Sequence, residues 1–380
     1  MPLKGQKVNT MNKNFTRLLI GSGESSPEIR YLTGISTPDD FICFETPDGV
    51  TALMSKLEIS RARNCAKPGV AVLPESDFGT SRQEIITGAA KIFNTNCFEV
   101  PPEFPLGLAE KLNASGIKLH VSESDFCPGR RSKDKQELQA VIDSQRAGEA
   151  GFSRAVKVLE ETKISPEGTL LWNGEILTSE ILRAEIDSTI LKHNALPTGT
   201  ICAGAKQSSQ PHNQGSGPLY AHTPIVMDIF PRSSVSGYWG DLTRTVVKGK
   251  APEIVKRAYE AVKEAREYAK SKIALNVSCA ELHLAAESIL DQHRFFTGTS
   301  NGEPFGFFHG LGHGVGLEIH ESPRLSPRSK DVLTGGEIFT VEPGVYYPEW
   351  GGIRLEDLIY LAPDGKVHCL TQAPDFLEIF

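Results

Sequence analysis

Residues 309–321 read His309-Gly310-Leu311-Gly312-His313-Gly314-Val315-Gly316-Leu317-Glu318-Ile319-His320-Glu321. Two histidines four apart can chelate a metal from one face of a helix. Here glycine occupies every second position from 310 to 316, and four glycines cost a helix ~4 kcal/mol relative to alanine. The alternation of Val315, Leu317 and Ile319 instead predicts a strand with close backbone approach at the glycines. His313 and His320 are seven apart, so in an unbroken strand they face opposite ways; a bend or bulge must intervene if both serve one site. A lone histidine of this kind is more often a satisfied core or surface residue than a ligand. Three within twelve residues, set among glycines, reverse that balance and make His309, His313 and His320 candidates.

Carboxylates embedded in apolar runs supply the second half of the pattern. Asp228 lies inside Ile225-Val226-Met227-Asp228-Ile229-Phe230, where an ionised side chain costs several kcal/mol unless it is paired or bound to metal. Asp241 opens a second strand, Asp241-Leu242-Thr243-Arg244-Thr245, which can pair with the first as a hairpin across 231–240. Glu342 closes Ile338-Phe339-Thr340-Val341, and Glu356 is flanked by apolar residues in a strand predicted from Ile353 to Leu361. Each acid alone reads as ion-paired or solvated. Four strand-embedded acids beside a glycine-framed histidine are better explained by metal.

Outward from this region the chain organises into two parts. Residues 27 to about 130 alternate short strand-like and helix-like segments: Phe41–Phe44 and Val50–Met54 flank the turn signal Pro47-Asp48-Gly49, Ser81-Arg82-Gln83-Glu84 is a capping box, 106–112 is helical and 117–121 is a strand. A polar stretch, 130–137, then runs into apolar residues at helical spacing from Leu138 to Leu159, which places a boundary near residue 133 and gives domains 1–133 and 134–380. Three further helices are predicted at 178–193, 252–272 and from a capping box at Ser278-Cys279-Ala280-Glu281, with strands between and after them. The fold class is mixed α/β (α+β). His283 and His293 fall in the last helix, and His120, His193 and His368 read as structural.

Composition narrows the partners. Forty basic against 47 acidic residues leave a net charge of −7, so there is no general pull toward nucleic acid or an anionic membrane. The seven cysteines contain no C-x-x-C pair, and the longest early apolar run, Leu18-Leu19-Ile20, is too short for a signal or membrane span; reduced thiols in a soluble cytoplasmic protein are the simplest expectation.

The order Asp228, Asp241, His313, Glu342, Glu356 resembles that of the pita-bread metallopeptidases, the family of methionine aminopeptidase, aminopeptidase P and prolidase (M24 type). The resemblance spans roughly 134–372, and more weakly the first domain, through GYWGDLTRT at 237–245, HGLGHGVGL at 309–317, VEPGVY at 341–346 and GIRLED at 352–357. It implies a creatinase-like first domain, and a catalytic domain whose curved antiparallel sheet is covered by helices. It also implies two divalent ions, Mn(II) foremost with Co(II), Zn(II) or Fe(II) as alternatives. Asp228 would bind one, Asp241 and Glu356 would bridge, and His313 and Glu342 would complete the other. A bridging hydroxide would attack, with Glu342 as general base, and His320 and His212, the latter in QPHN at 210–213, would bind substrate. His309, Arg354 and Tyr238 are supporting candidates, with plain structural pairing an open alternative.

Methionine aminopeptidases lack a first domain of this size, whereas aminopeptidase P, prolidase and creatinase have one, and IRYLTG at 29–34 looks like its start. The resemblance therefore implies a homodimeric metallo-exopeptidase acting on Xaa-Pro peptides, as a dipeptidase or an aminopeptidase. A non-peptidase hydrolase on the creatinase scaffold, an inactive binding protein and a mononuclear zinc hydrolase remain the alternatives. One departure stands out: twelve residues separate the two aspartates, about two more than the family pattern. That places the extra residues at the tip, 231–236, and bears on substrate access.

Overall fold

In the computed structural model, which describes residues 16–380, the run Phe41-Ile42-Cys43-Phe44 lies at the centre of a six-stranded sheet. Its strands run Ala71–Pro74, Gly49–Met54, Phe41–Thr46, Thr16–Gly21, Cys97–Val100 and Lys118–Val121 in spatial order. The three in the middle are antiparallel, and the outer three join in parallel. Phe41 and Cys43 enter one apolar cluster while Ile42 and Phe44 enter another, so the sheet is covered on both faces and the strand reads as a continuous apolar run. The turn at Pro47-Asp48 closes its hairpin with Thr46 opposite Gly49. The box at Ser81 and Glu84 caps the helix Arg82–Ile92 as expected. This sheet belongs to the first of two compact units, which ends at Pro128; the second is 129–380.

The second unit opens with the 27-residue helix Lys135–Glu161, capped reciprocally by Asp134 and Glu137. Its buried stripe, with Ala147, Phe152, Ala155 and Leu159, packs with the helix Ser179–Lys192 against a four-stranded sheet. That sheet runs Ile201–Gly204, Ile225–Ile229, Leu242–Lys248 and Glu378–Ile379. The helices Glu253–Ser271 and Cys279–Gln292 cover a five-stranded antiparallel sheet. Its order is Glu321–Leu325, Gly312–Gly314, Ile338–Val341, Asp357–Leu361 and Val367–Cys369. Among the described residues no helix is long and apolar enough to cross a membrane.

Three local expectations are corrected. Residues 315–320 form a bend rather than a strand, and the strand is the glycine segment Gly312–Gly314 itself. Val315 and Leu317 are buried there without ladder pairing, because the Gly316 carbonyl is taken by the Trp239 amide at 2.9 Å. The strand predicted over 353–361 is two strands, Gly351–Arg354 and Asp357–Leu361. The first pairs with Gly344–Tyr347 and the second with Ile338–Val341; at the break the Glu356 amide donates to the Thr243 carbonyl at 3.1 Å. Finally, Ser278 stands at the N-cap but its side chain caps nothing. The first helical amide, Cys279, is satisfied by the Asp331 carbonyl at 3.0 Å instead.

Candidate metal centre

The Ile225–Ile229 and Leu242–Lys248 strands pair antiparallel with Asp228 opposite Thr243, which sets Asp228 and Asp241 at one end of the hairpin. Between them the chain turns at 233–237, tied down by pairing of Arg232–Ser233 with Ala195–Leu196. His313 is brought to the same place by the glycines on either side. A Cβ at Gly312 would collide with the Thr340 carbonyl and one at Gly314 with that of Ser322, so only glycine lets this strand approach its neighbours so closely. A register shift between His313 and Gly314 and the bend that follows return His320 to the same side, its ring meeting that of His313 edge-on at a centroid distance of 4.3 Å. Glu342 follows the Ile338–Val341 strand, its amide donating to the Leu311 carbonyl at 2.8 Å, and Glu356 sits at the break between sheets.

A cavity of about 710 Å³ is lined by all five of these residues, and by His212, His309, His320 and Arg354. Donor atoms of Asp241, His313 and Glu356 lie within 4.8 Å of one another, and all three residues are buried. His313 Nε2 is 3.2 Å from Glu342 Oε1 and 3.7 Å from Asp241 Oδ2. Its Nδ1 stands 3.3 Å from the Gly314 carbonyl, which can only accept. Nδ1 therefore carries the hydrogen, and the Nε2 lone pair faces two carboxylates, an arrangement that needs a cation or a proton between them.

The acids show the same lack of balance. Glu356 is 1% exposed; Oε2 accepts from Thr243 Oγ1 at 2.9 Å, but Oε1 has no hydrogen-bond partner. Burial, reinforced by the charges of Glu342 and Asp228, pushes its carboxyl well above the usual range. Burial does the same to Asp241, with Glu356, Asp228 and Glu342 adding repulsion, and it raises Asp228. Glu342 goes the other way: burial opposes ionisation, yet its contact with His313, with His309 and Arg354 nearby, holds it down to about 2. An orphaned buried carboxylate oxygen, an imidazole lone pair facing acids and four clustered carboxylates fit divalent cations. The donor set of oxygens with one imidazole suits Mn(II), Fe(II), Co(II) or Zn(II).

Around the acids runs a set of polar contacts. Arg354, 3% exposed, donates from Nη2 to Asp228 Oδ2 at 2.7 Å, from Nη1 to Tyr346 Oη at 2.8 Å and from Nε to Thr243 Oγ1 at 3.2 Å. Tyr346 donates in turn to His309 Nε2 at 2.9 Å, since His309 Nδ1 gives its hydrogen to the Gly310 carbonyl at 2.7 Å. Partial burial, with His313 and Arg324 nearby, lowers His320 to about 4, so it is a neutral hydrogen-bonding group at pH 7. Tyr238 stands apart from the cavity. It is buried with its hydroxyl donating to Glu137 at 2.6 Å, which ties the long helix to the hairpin.

Several residues escaped the sequence reading. Thr243 and Thr340 hold Glu356 and Glu342 through their hydroxyls, Tyr346 links Arg354 to His309, and Arg324 lines the cavity. Two threonines alternating in the strand Leu242–Lys248, Thr243 and Thr245, were the available signal for the first. Arg324 carried none.

A sequence profile of metallopeptidase family M24 matches residues 139–363. An Xaa-Pro dipeptidase of Pyrococcus horikoshii is 37% identical over 345 residues, 90% of this chain and 89% of the relative. Among solved structures, the X-Pro aminopeptidase of Thermotoga maritima superposes with a TM-score of 0.81 at 22% identity, over 96% of this chain and 97% of that one. An Xaa-Pro dipeptidase of Bacillus anthracis gives 0.81 at 21%, over 96% and 95%. These structural likenesses establish the fold.

Proposed function

The chain belongs to metallopeptidase family M24, and we propose that it hydrolyses Xaa-Pro peptide bonds, with a dipeptide as the preferred substrate. The observation that carries the reading is the group of unbalanced acids around Glu356 Oε1, opening into a cavity large enough for a small peptide. In this proposal Asp228, Asp241, His313, Glu342 and Glu356 hold two divalent ions, Mn(II) first among them. When bound, such ions lower the pKa of water toward neutrality and polarise the scissile carbonyl. Glu342, whose carboxyl is held below its usual range, takes a proton from the attacking water and returns it to the leaving nitrogen. His212 and His320 hydrogen-bond the substrate. Arg354 neutralises Asp228, and His309 steadies Arg354 through Tyr346.

Dipeptide preference rests on Arg324, which lines the cavity near His320 and whose guanidinium has no hydrogen bond or ion pair among the described residues. An unpaired cation there suits a C-terminal carboxylate one residue beyond the scissile bond. A Xaa-Pro-Yaa tripeptide moves that carboxylate out of reach. A cytoplasmic homodimer is the assembly carried with this reading, checked by light scattering on purified protein. The deciding experiment assays Xaa-Pro dipeptides and Xaa-Pro-Yaa tripeptides across Mn(II), Co(II) and Zn(II). Metal-dependent cleavage, with dipeptides ahead, is expected. No peptide cleavage with any metal, hydrolysis of creatine instead, or purified protein that takes up no metal would each end the proposal.

A further inference from the structure

Glu321 directly follows His320 and turns the other way. His320 is exposed at the cavity, whereas the Glu321 side chain is 7% exposed and lies outside the cavity lining. Its carboxylate meets two cations from the start of the second unit: Arg130 donates from Nη2 to Oε2 at 2.9 Å, and Lys133 donates from Nζ to Oε1. Both cations are themselves buried, with side chains 8% and 1% exposed. Arg130 also reaches Glu318 at 2.6 Å, on the same bend. Two acids and two cations thus form a neutral cluster threaded through residues 318–321. A Cβ at Gly316 would collide with the Glu321 carboxylate, so the bend is shaped around this group.

The bend needs such a fastening. Among the described residues, 315–320 have no strand pairing; besides an internal bond from the Gly316 amide to the Glu318 carbonyl at 3.0 Å, their backbone is tied to other elements by the Trp239 amide on the Gly316 carbonyl, the Trp239 indole on the Leu317 carbonyl at 3.1 Å, and the Val315 amide on the Ile338 carbonyl. All three lie before Glu318, on the far side of His320. Past Leu317 the direction of the chain, and with it the placing of the His320 ring against His313, is fixed from the Glu321 end. Buried ion pairs seldom add stability over apolar packing, and in some proteins they specify one conformation. The geometry points to Glu321, clamped by Arg130 and Lys133, as the residue that positions His320 for the reaction. This rests on the proposed role of His320 at the substrate.

The test is a double-mutant cycle on the full chain loaded with Mn(II), using Glu321→Gln, His320→Ala and the pair, with kcat, KM and bound metal measured for each. Lys133→Met repeats the cycle should the first variant fold poorly. Glu321→Gln is expected to lower kcat at least about tenfold, with KM and metal content unchanged. In the His320→Ala background the same substitution should change kcat less than about twofold. A carboxylate of merely structural value would lower kcat by one factor in both backgrounds; that result, or an unchanged kcat in Glu321→Gln alone, overturns the inference while leaving His320 in its role. An unchanged kcat in His320→Ala overturns both. Amide exchange gives a readout independent of turnover: it should accelerate across 315–321 in Glu321→Gln and not across 338–341, and equal protection in the two proteins counts against the clamp.

Discussion

Glu356 and Asp357 are consecutive carboxylates, 1% and 3% exposed, with opposite surroundings. Glu356 faces Asp228, Asp241 and Glu342, has one oxygen with no partner, and is pushed by burial and like charge well above its usual pKa. Asp357 faces away, into a cluster where Arg244 reaches Oδ1 at 3.0 Å and Lys270 and Arg266 reach Oδ2 at 2.7 and 3.3 Å. Burial opposes its charge too, but Arg266, Arg244 and Lys270 outweigh that and hold it below its usual value. Where the chain supplies its own counter-ions the acid is structural. Where it supplies none, the positive charge has to come from outside. The break in the strand at Leu355-Glu356 is what lets two neighbours serve these separate ends.

The largest effect expected from this contrast is in Glu356→Gln. Losing a proposed bridging ligand should lower kcat/KM by about 10⁴-fold, ~5 kcal/mol of transition-state stabilisation, while the metal-free variant unfolds no more readily than metal-free wild type. Steady-state kinetics with Mn(II) and thermal melts in chelator measure both. A Glu356→Gln protein destabilised without metal would show that Glu356 is held by the protein after all, and the contrast would fail.

Asp357→Asn should behave the other way. It leaves three buried or half-buried cations short of a partner, for which a loss of about 4 kcal/mol of stability is expected, read from urea denaturation. Activity per folded molecule should fall far less than in Glu356→Gln. An equal fall would mean that the two clusters work as one; Arg244, which also donates to the carbonyls of Thr243 and Glu356, is the residue through which they would do so.

Removing metal sharpens the comparison next. A ligand present at a hundred times its Kd stabilises by about 3 kcal/mol, so chelation should lower the melting temperature by a matching amount. In chelator the two clusters then give opposite pH limbs. Asp241 and Glu356 have folded pKa values raised above the unfolded ~4. Their contribution is therefore complete below that pH and is lost as pH rises through the folded values. Asp357, depressed, contributes above ~4 and loses its part as pH falls through its folded value. Metal-free protein should thus melt higher at mildly acidic pH than at pH 8, and added Mn(II) should remove that slope. A chelated protein that melts higher at pH 8 than at pH 5 would contradict the raised acids.

The same pair of neighbours explains what was legible in sequence. The acids could be picked out because each interrupts an apolar run, and the helices because their stripes and caps are local. Ser81 with Glu84 is an example four residues long. The break at Glu356 could not be seen, because it is set by Thr243, 113 residues earlier. Nor could the bend at 315–320: Val315 and Leu317 alternate as in a strand, and burial against the core satisfies them equally in a loop held by Trp239 and Arg130. Periodicity reports which side chains are buried; distant partners decide how the backbone runs between them. Thr243, Tyr346 and Arg324 were missed for a related reason, since their value lies in what they touch and not in their own spacing.

The smallest effect probes whether burial is what separates the clusters. Asp375 pairs with Arg266 and Arg244 as Asp357 does, but its side chain is 21% exposed against 5%. Water can replace part of what it offers those cations, and Asp357 remains to neutralise them. Asp375→Asn should therefore cost only about 1 kcal/mol, in the range of exposed pairs, with kcat and KM unchanged and the chelated pH slope intact. Urea denaturation of the single and double variants with Asp357→Asn reads this directly. If the double variant is no worse than Asp357→Asn alone, Asp375 acts only through an intact cluster. If Asp375→Asn costs as much as Asp357→Asn, the cluster's stability lies in its count of charges, and burial loses its claim to explain why Glu356 is left for the metal while Asp357 is not.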